Sequence, residues 1–569
     1  METIRDLGKF TFKALLENSV KKFGERPALS LVNETPVTYA QVAQKSIRIN
    51  KFLTAMGIKK GSKVALYGTG RPEWGEAYFG IVNIGAIAVP LLPDFSETEV
   101  LSIIKHCGVD AMIVEEKLYA KLKNIENELP PFVIKLEDFS ILKNKDEQVQ
   151  KIDECDSVEL PVIEIEEEDT ASIIYTSGTT GRSKGVELTH KNLIWCAVQG
   201  QTLHRVNKMD RTLSFLPLSH VYEFTIGFTM QILNGACVYY LGKPPVISVL
   251  LPAFMRVKPT IVCSVPLIME KIYKNKVLPT FEKKAVTKFL YKIPLFRKLL
   301  NNAAGKQLKK TFGGKIVFFG IGGSKVDPKV EQFMKEAKFP YAIGYGLTET
   351  APLLAGSGPS ITLPGTIGIP LEGVDLKINN PDPKTGIGEV VAKGPNVMKG
   401  YYKDPELTEA NFTTEEDSVG SGYFKTGDLG ILEKKHGRIR LSLKGRSKNM
   451  ILGPSGENIY PEDIEFVLNQ HPLVSESLVV EDDNGLVALV QVDEEKLKDY
   501  ISKLHEDIVR DIAYHHQTVI SEIQYFINSK VNKSSRISRI EEVKEFQKTA
   551  SQKIKRYLYN LKNNKNSKK

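Results

Sequence analysis

The densest run of chemistry-bearing residues lies between Tyr175 and His190. Thr176, Ser177, Thr179, Thr180 and Ser183 stand among Gly178, Gly181 and Gly185, with Lys184 beside them. Glycines let backbone N–H groups approach an anion, hydroxyls donate further hydrogen bonds, and a lysine supplies a mobile positive charge. The apolar, β-rich run Ala171–Tyr175 precedes them, so the pattern predicts a strand feeding a phosphate-handling loop. A nucleotide-hydrolysing P-loop is excluded, because two residues rather than four separate Gly178 from Gly181 and no Gly-Lys-Ser/Thr occurs in the chain.

Other clusters follow in order. Leu216-Pro217-Leu218-Ser219-His220-Val221-Tyr222-Glu223 projects a histidine from a turn, and the apolar run Ile316–Phe319 leads into Gly320-Ile321-Gly322-Gly323. Gly344-Tyr345-Gly346-Leu347-Thr348-Glu349-Thr350 puts an aromatic ring, two hydroxyls and a carboxylate on one stretch, and a single carboxylate completed by phosphate oxygens and waters suits Mg²⁺. In an open α/β sheet, ligands bind beyond the carboxyl ends of the strands, where glycine-rich turns of this kind fall. Further on stand Asp428 in Lys425-Thr426-Gly427-Asp428, then Arg446 and Lys448, Gly456, and Lys553 in Lys548–Arg556. Read without any parallel, that last stretch is a basic helix.

These motifs, in this order, resemble those of the AMP-dependent synthetases and ligases, the adenylate-forming enzymes. Leu216–Glu223 and Lys258–Pro266 are similar to the long-chain fatty-acid–CoA ligase branch in particular. The resemblance implies binding of ATP, Mg²⁺, coenzyme A and a fatty acid. Ser177, Gly178, Thr179, Thr180 and Gly181 would clamp phosphates together with Thr176 and Lys184, and Gly322, Gly323 and Gly346 would border the nucleotide. Tyr345 would stack on adenine, Thr348 would contact the α-phosphate, Glu349 would hold Mg²⁺, and Asp428 and Arg446 would bind the ribose. His220 would line the acyl pocket, Lys448 would be the hinge, Gly456 would line the thiol tunnel, and Lys553 would be the adenylation lysine. Gln552 and Asn449 depart from the pattern, standing where glycine and an acidic residue are usual. Two alternatives stay open: an acyl carrier protein as acceptor, and a non-catalytic lipid-binding protein on the same fold.

The elements that must position these residues read as α/β. Helical patterns at Thr11–Phe23 and Tyr39–Met56 alternate with apolar runs at Ala28–Val32, Val64–Tyr67, Ile84–Leu92 and Ala111–Val114, which implies a wound parallel sheet. The stretch Glu115–Asp169 is charged and poorly periodic, and its acidic end, Glu164 to Asp169, reads as a linker before the key strand. Residues 364–445 suggest a small β subdomain. A helix at Glu462–Gln470 and strands at Glu476–Val480 and Leu486–Val492 suggest a small, mobile α+β domain. The expected division is a large domain of wound α/β subdomains over 1–444 and a small one over 445–569.

At 569 residues, 42% hydrophobic and 25% charged, the composition is that of a globular protein, and it holds no apolar run long enough to span a bilayer. The N-terminus lacks the pattern of a signal peptide, so a cytoplasmic location is expected. Five scattered cysteines predict neither disulfides nor zinc. The net charge of +9 does not argue for nucleic-acid binding. It is concentrated, however: residues 276–315 carry eleven basic side chains against one acidic one, Glu282, with apolar residues interleaved. That segment is either a solvated helix pair or a peripheral contact with the inner face of a membrane. Oligomeric state is not legible.

Overall fold

The computed structural model describes residues 7–144, 152–177, 183–283, 285–452, 458–482, 485–502, 512–549 and 553–559. Gly178, Thr179, Thr180, Gly181, Gly456 and Gln552 lie outside the described residues.

Two wound sheets form the large N-terminal part. One has eight strands and is parallel through Thr170–Ser177, Ile87–Leu91, Lys63–Tyr67, Ala111–Val114 and Phe132–Lys135. The other has nine strands and is parallel through Tyr341–Gly346, Phe318–Ile321, Ile261–Ser264, Arg211–Ser214, Cys237–Tyr240 and Pro27–Leu31. Strand periodicity explains the layering. Val64 and Leu66 join the apolar cluster that fills the space between the two sheets, whereas Ala65 and Tyr67 face the opposite way into a cluster with helix Glu97–Cys107.

The helix Pro72–Val82 lies in that inner layer with nearly every residue buried, and so does His190–Gly200. A helix apolar all round belongs in such a place. Its aromatic residues key the layer together. Trp74 stacks on Tyr78 at 5.7 Å, and Tyr78 meets Phe224 at 4.4 Å and Phe12 at 5.1 Å.

A four-stranded antiparallel sheet follows, Asp375–Asn379, Gly388–Lys393, Phe424–Lys435 and Arg438–Arg446. The last part is small and α+β: strands Val474–Asp482, Gly485–Val492 and Ile537–Glu542 carry helices Pro461–Leu468 and Ile512–Asn528 around their own apolar cluster. The expected α/β class, with a large first part and a smaller second, is what the chain adopts. Among the described residues no helix is long and apolar enough to cross a membrane, and the five cysteines are buried and form no disulfide.

Two readings need correction. Glu115–Asp169, read as charged and poorly periodic, holds regular structure: Phe132–Lys135 and Ile141–Asn144 extend the eight-stranded sheet to its edge. Its outermost strand is half-exposed throughout, so it carries no apolar alternation to read. Lys548–Arg556 is not a helix either: Lys548 bridges Ile554 in antiparallel pairing, and Lys555 N donates to Gln547 O at 2.8 Å.

Trp74 is fully buried, and Trp74→Ala would empty a large volume of the layer joining the sheets. Urea unfolding should show a loss of about 3–5 kcal/mol, and a loss well under about 1 kcal/mol would mean the layer closes over the gap.

Candidate active site

Strands Thr170–Ser177 and Ser183–Thr189 pair antiparallel as the two arms flanking residues 178–182, with Thr176 opposite Lys184. The Lys184 ammonium lies 5.1 Å from the centre of the Tyr401 ring. Burial and the charge of Lys448 push its pKa below the ordinary lysine value, against the pull of Glu349 and Asp404. Tyr401 in turn donates its hydroxyl to Glu349 Oε1 at 2.9 Å. Lys184, Tyr401 and Glu349 therefore form one cluster. Glu349 Oε2 has no hydrogen-bond partner among the described residues, so this half-buried carboxylate can supply one oxygen to a divalent cation completed by other ligands. Among the described residues no group of three acidic, histidine or cysteine side chains could hold a metal by itself.

Glu349 and Thr348 occupy the short helical turn Thr348–Thr350 just beyond strand Tyr341–Gly346. Gly346 is required there: a Cβ at that position would stand 1.6 Å from Pro352 O. Gly322 and Gly323 follow strand Phe318–Ile321 in the same way. Tyr222 covers the turn, 3.3 Å from where a Gly322 Cβ would be, and Gly323 adopts φ +92°.

Asp428 is buried and central. It accepts from the Tyr345 hydroxyl at 2.8 Å and pairs with Arg446 Nε at 2.9 Å, its cross-strand neighbour. Burial raises its pKa, opposed by Arg446, the Tyr345 hydroxyl and the charge of Lys553. Lys553 comes from the small C-terminal part. It retains solvent-accessible surface, as a side chain reaching into an open cleft does, yet protein surrounds its ammonium. Burial and Arg446 push its pKa down, while Asp428 and Glu349 pull it up. Its segment is pinned to its own domain, where Arg556 pairs with Glu465 and donates to Val479 O at 2.8 Å.

His220 faces this cleft from the sharp turn ahead of helix Glu223–Thr229 and accepts from Tyr222 N at Nδ1, 3.2 Å away. Burial, then the charge of Lys553, lowers its pKa to about 4, so it is neutral near pH 7. Lys448 lies on the turn Ser447–Asn449, directly after strand Arg438–Arg446. Lys553, His220, Glu349, Asp428 and Arg446 thus share one electrostatic environment, with His220 and Glu349 standing beyond the carboxyl ends of parallel strands. Contacts across the two parts hold this arrangement: Lys325 pairs with Asp463 at 2.7 Å and lies 5.3 Å from the Phe466 ring. Asn449 donates its amide to Glu462, a contact an acidic side chain at that position would turn into repulsion.

Sequence reasoning missed Tyr401, whose only signal was its place in a glycine-rich β stretch. It also passed over Glu223, the one carboxylate in the apolar run after His220. Glu223 is fully buried, and neither carboxyl oxygen has a hydrogen-bond partner of ordinary geometry among the described residues. Burial pushes its pKa up to about 8, and the neighbouring Ser214 hydroxyl opposes this only in part.

A model of the family described as AMP-binding enzyme matches residues 16–402, and the chain belongs to that family. The resemblance read from the motifs is borne out. Long chain acyl-CoA synthetase 7, peroxisomal, of Arabidopsis thaliana is 29% identical over 507 residues, covering 82% of this chain and 69% of the relative. The 4-coumarate–CoA ligase of Vanilla planifolia is 27% identical over 560 residues, covering 95% and 91%. Among solved structures, the o-succinylbenzoate CoA synthetase of Bacillus subtilis in complex with its acyl-adenylate intermediate superposes with a TM-score of 0.74 at 23% identity, covering 96% of this chain and 97% of that one. That likeness concerns the fold.

Glu223 gives the site a stability signature. Below pH about 4.5 its carboxyl is neutral whether the chain is folded or not. As pH rises toward about 8 the unfolded chain ionises and the folded one does not, so stability falls over that window. Thermal unfolding of Glu223→Gln should lose less stability than the parent across the same window; equal losses would show that Glu223 ionises freely in the fold.

Proposed function

We propose that this chain activates a long-chain fatty acid in two steps. The carboxylate attacks the α-phosphorus of ATP and expels pyrophosphate, and the acyl-adenylate then passes its acyl group to the thiol of coenzyme A, releasing AMP. The observation that carries this reading is the convergence of Lys553 from the small part with Glu349 and Asp428 from the large one and with Arg446 at the boundary between them. The long-chain assignment is supported by the likeness to the peroxisomal plant synthetase and by Leu216–Glu223.

The first step joins two anions, so the protein must hold them in line and neutralise charge. Asp428 would accept the ribose hydroxyls, with Arg446 fixing its orientation, and Tyr345 and the glycine turn at Gly322–Gly323 would border the base. Lys184, with Thr176 and the hydroxyls and N–H groups of residues 177–181, would hold the leaving phosphates. Mg²⁺ on Glu349 would screen phosphate charge. Lys553 would stabilise charge developing on the α-phosphate and the attacking carboxylate, while His220, neutral near pH 7, would face the acyl group without competing for that charge.

The second step needs a thiol where Lys553 stands. The small part, 445–569, would therefore swing about Lys448 away from the large part, 1–444, breaking the Lys325–Asp463 pair and opening a passage past Gly456. The thiol needs no dedicated base, since one of pKa about 8.5 is already partly ionised at neutral pH. A second reading has the pantetheine thiol of an acyl carrier protein as acceptor, with the basic stretch Lys306 to Lys315 docking an acidic partner. Supplying each acceptor in turn separates the two.

The test is fatty-acid-dependent ATP–pyrophosphate exchange over acids of increasing length. The parent should exchange best with long chains. Lys553→Ala should lose about 10²–10³ in exchange rate while still passing an acyl group from supplied acyl-adenylate to coenzyme A. Undiminished exchange by that variant would remove Lys553 from the first step, and a parent that exchanges with no acid would overturn the reading altogether.

A further inference from the structure

The basic segment singled out in the sequence folds into three consecutive helices, Leu278–Glu282, Ala285–Lys292 and Pro294–Thr311, on the outer face of the nine-stranded sheet. Its inner side is fixed. Phe281 stacks on Tyr291 at 4.8 Å, Tyr291 donates to Asn301 Oδ1 at 3.0 Å, and Asn301 donates to Glu336 Oε2 at 2.7 Å. Arg297 grips the same carboxylate through Nε and Nη2, and helix Pro294–Thr311 lies so close to Ala337 that a Cβ on Gly305 would stand 2.2 Å from its carbonyl oxygen.

The outer side is unlike an ordinary solvated face. No residue of helix Ala285–Lys292 is buried, and Val286, Phe289, Leu295 and Leu299 each keep 60–69% of their surface exposed, with Phe296 at 41%. Exposed large apolar residues are common singly, but five within fourteen positions form a patch. Exposed Lys283, Lys288, Lys292, Lys298, Lys306 and Lys310 lie along the same helices, and among the described residues none of them makes an ion pair. Arg297, the basic residue that does pair, is turned inward to Glu336.

We infer that this face docks on an anionic lipid surface, with Val286, Phe289, Leu295, Phe296 and Leu299 entering the headgroup boundary and the lysines meeting lipid phosphates. Charge complementarity identifies the occupant. The face offers apolar side chains without hydrogen-bonding groups, surrounded by long, flexible cations whose stems can lie along an apolar medium while the ammonium reaches outward. An acidic protein would match the lysines but would leave the projecting phenylalanine and leucine side chains without an apolar partner. Because the network at Glu336 locks the helices in place, the face is presented already formed. The docking does not depend on the reaction proposed above.

Co-sedimentation of the full chain with phosphatidylcholine vesicles, with and without phosphatidylserine, tests it. Binding is expected to the anionic vesicles, to weaken at high salt, and to fall roughly tenfold or more in Phe289→Ser/Leu295→Ser/Leu299→Ser and in Lys288→Glu/Lys292→Glu/Lys298→Glu. Ile439→Ser, at an exposed apolar residue of the antiparallel sheet, should bind as the parent does. Should the triple variants fold poorly, Phe289→Trp keeps the question answerable, since the emission of the introduced indole should shift to the blue and be quenched by brominated lipid. Binding unaffected by the triple changes, equal loss in the Ile439 control, indifference to anionic lipid, or an unshifted emission from the Phe289→Trp variant would each overturn the proposal.

Discussion

The arrangement depends on one buried carboxylate. Asp428 is taken out of water and would be costly to keep charged there, since its burial pushes the pKa up. The Arg446 guanidinium across the strand, the Tyr345 hydroxyl and the Lys553 ammonium offset that cost. The Tyr345 hydroxyl comes from the nine-stranded sheet, the Arg446 guanidinium from the last strand of the antiparallel sheet, and the Lys553 ammonium from the small C-terminal part. The same carboxylate thus links the antiparallel sheet, the end of the nine-stranded sheet and the C-terminal lysine, so the site is assembled by compensation of charge rather than by one contiguous motif.

That dependence explains why the glycine-rich stretch at 175–190 is one wall of the site and not its centre. Its lysine is drawn to Tyr401 and through it to Glu349, a contact set separate from the one around Asp428. Lys553 stands within reach of both carboxylates. One cation from the small part thus acts on two carboxylates of the large part, so the electrostatics of the cleft depend on where the small part sits. The contacts that keep it there are few, with Lys325–Asp463 exposed and worth little by itself.

Much of this was legible in the sequence because local rules applied. Thr11 and Thr38 cap their helices with side-chain hydrogen bonds, and the strands around Val64, Ala111 and Leu486 carry the apolar runs that buried strands need. The large-then-small α/β organisation and the family followed from motifs in order. Where reasoning fell short, the deciding interaction was non-local or the signal weak. Ile141–Asn144 is an edge strand with no buried face, Tyr401 matters only because Glu349 and Lys184 meet at it, and the segment that carries Lys553 is held by Arg556 on Glu465, far away in sequence. Glu223 was visible as a charge in an apolar run, but only the fold shows that its buried oxygens lack a hydrogen-bond partner of ordinary geometry among the described residues.

The central claim is that one placement of the small part completes the site for adenylation and must be given up for acyl transfer. The most direct test replaces the pair that joins the two parts, Lys325→Cys with Asp463→Cys, and bridges the new thiols with a short bis-maleimide, the native cysteines being buried. The account predicts that the bridged protein keeps fatty-acid-dependent ATP–pyrophosphate exchange at the rate of the unbridged variant and makes no acyl-CoA. Acyl-CoA formation undiminished by the bridge would contradict it.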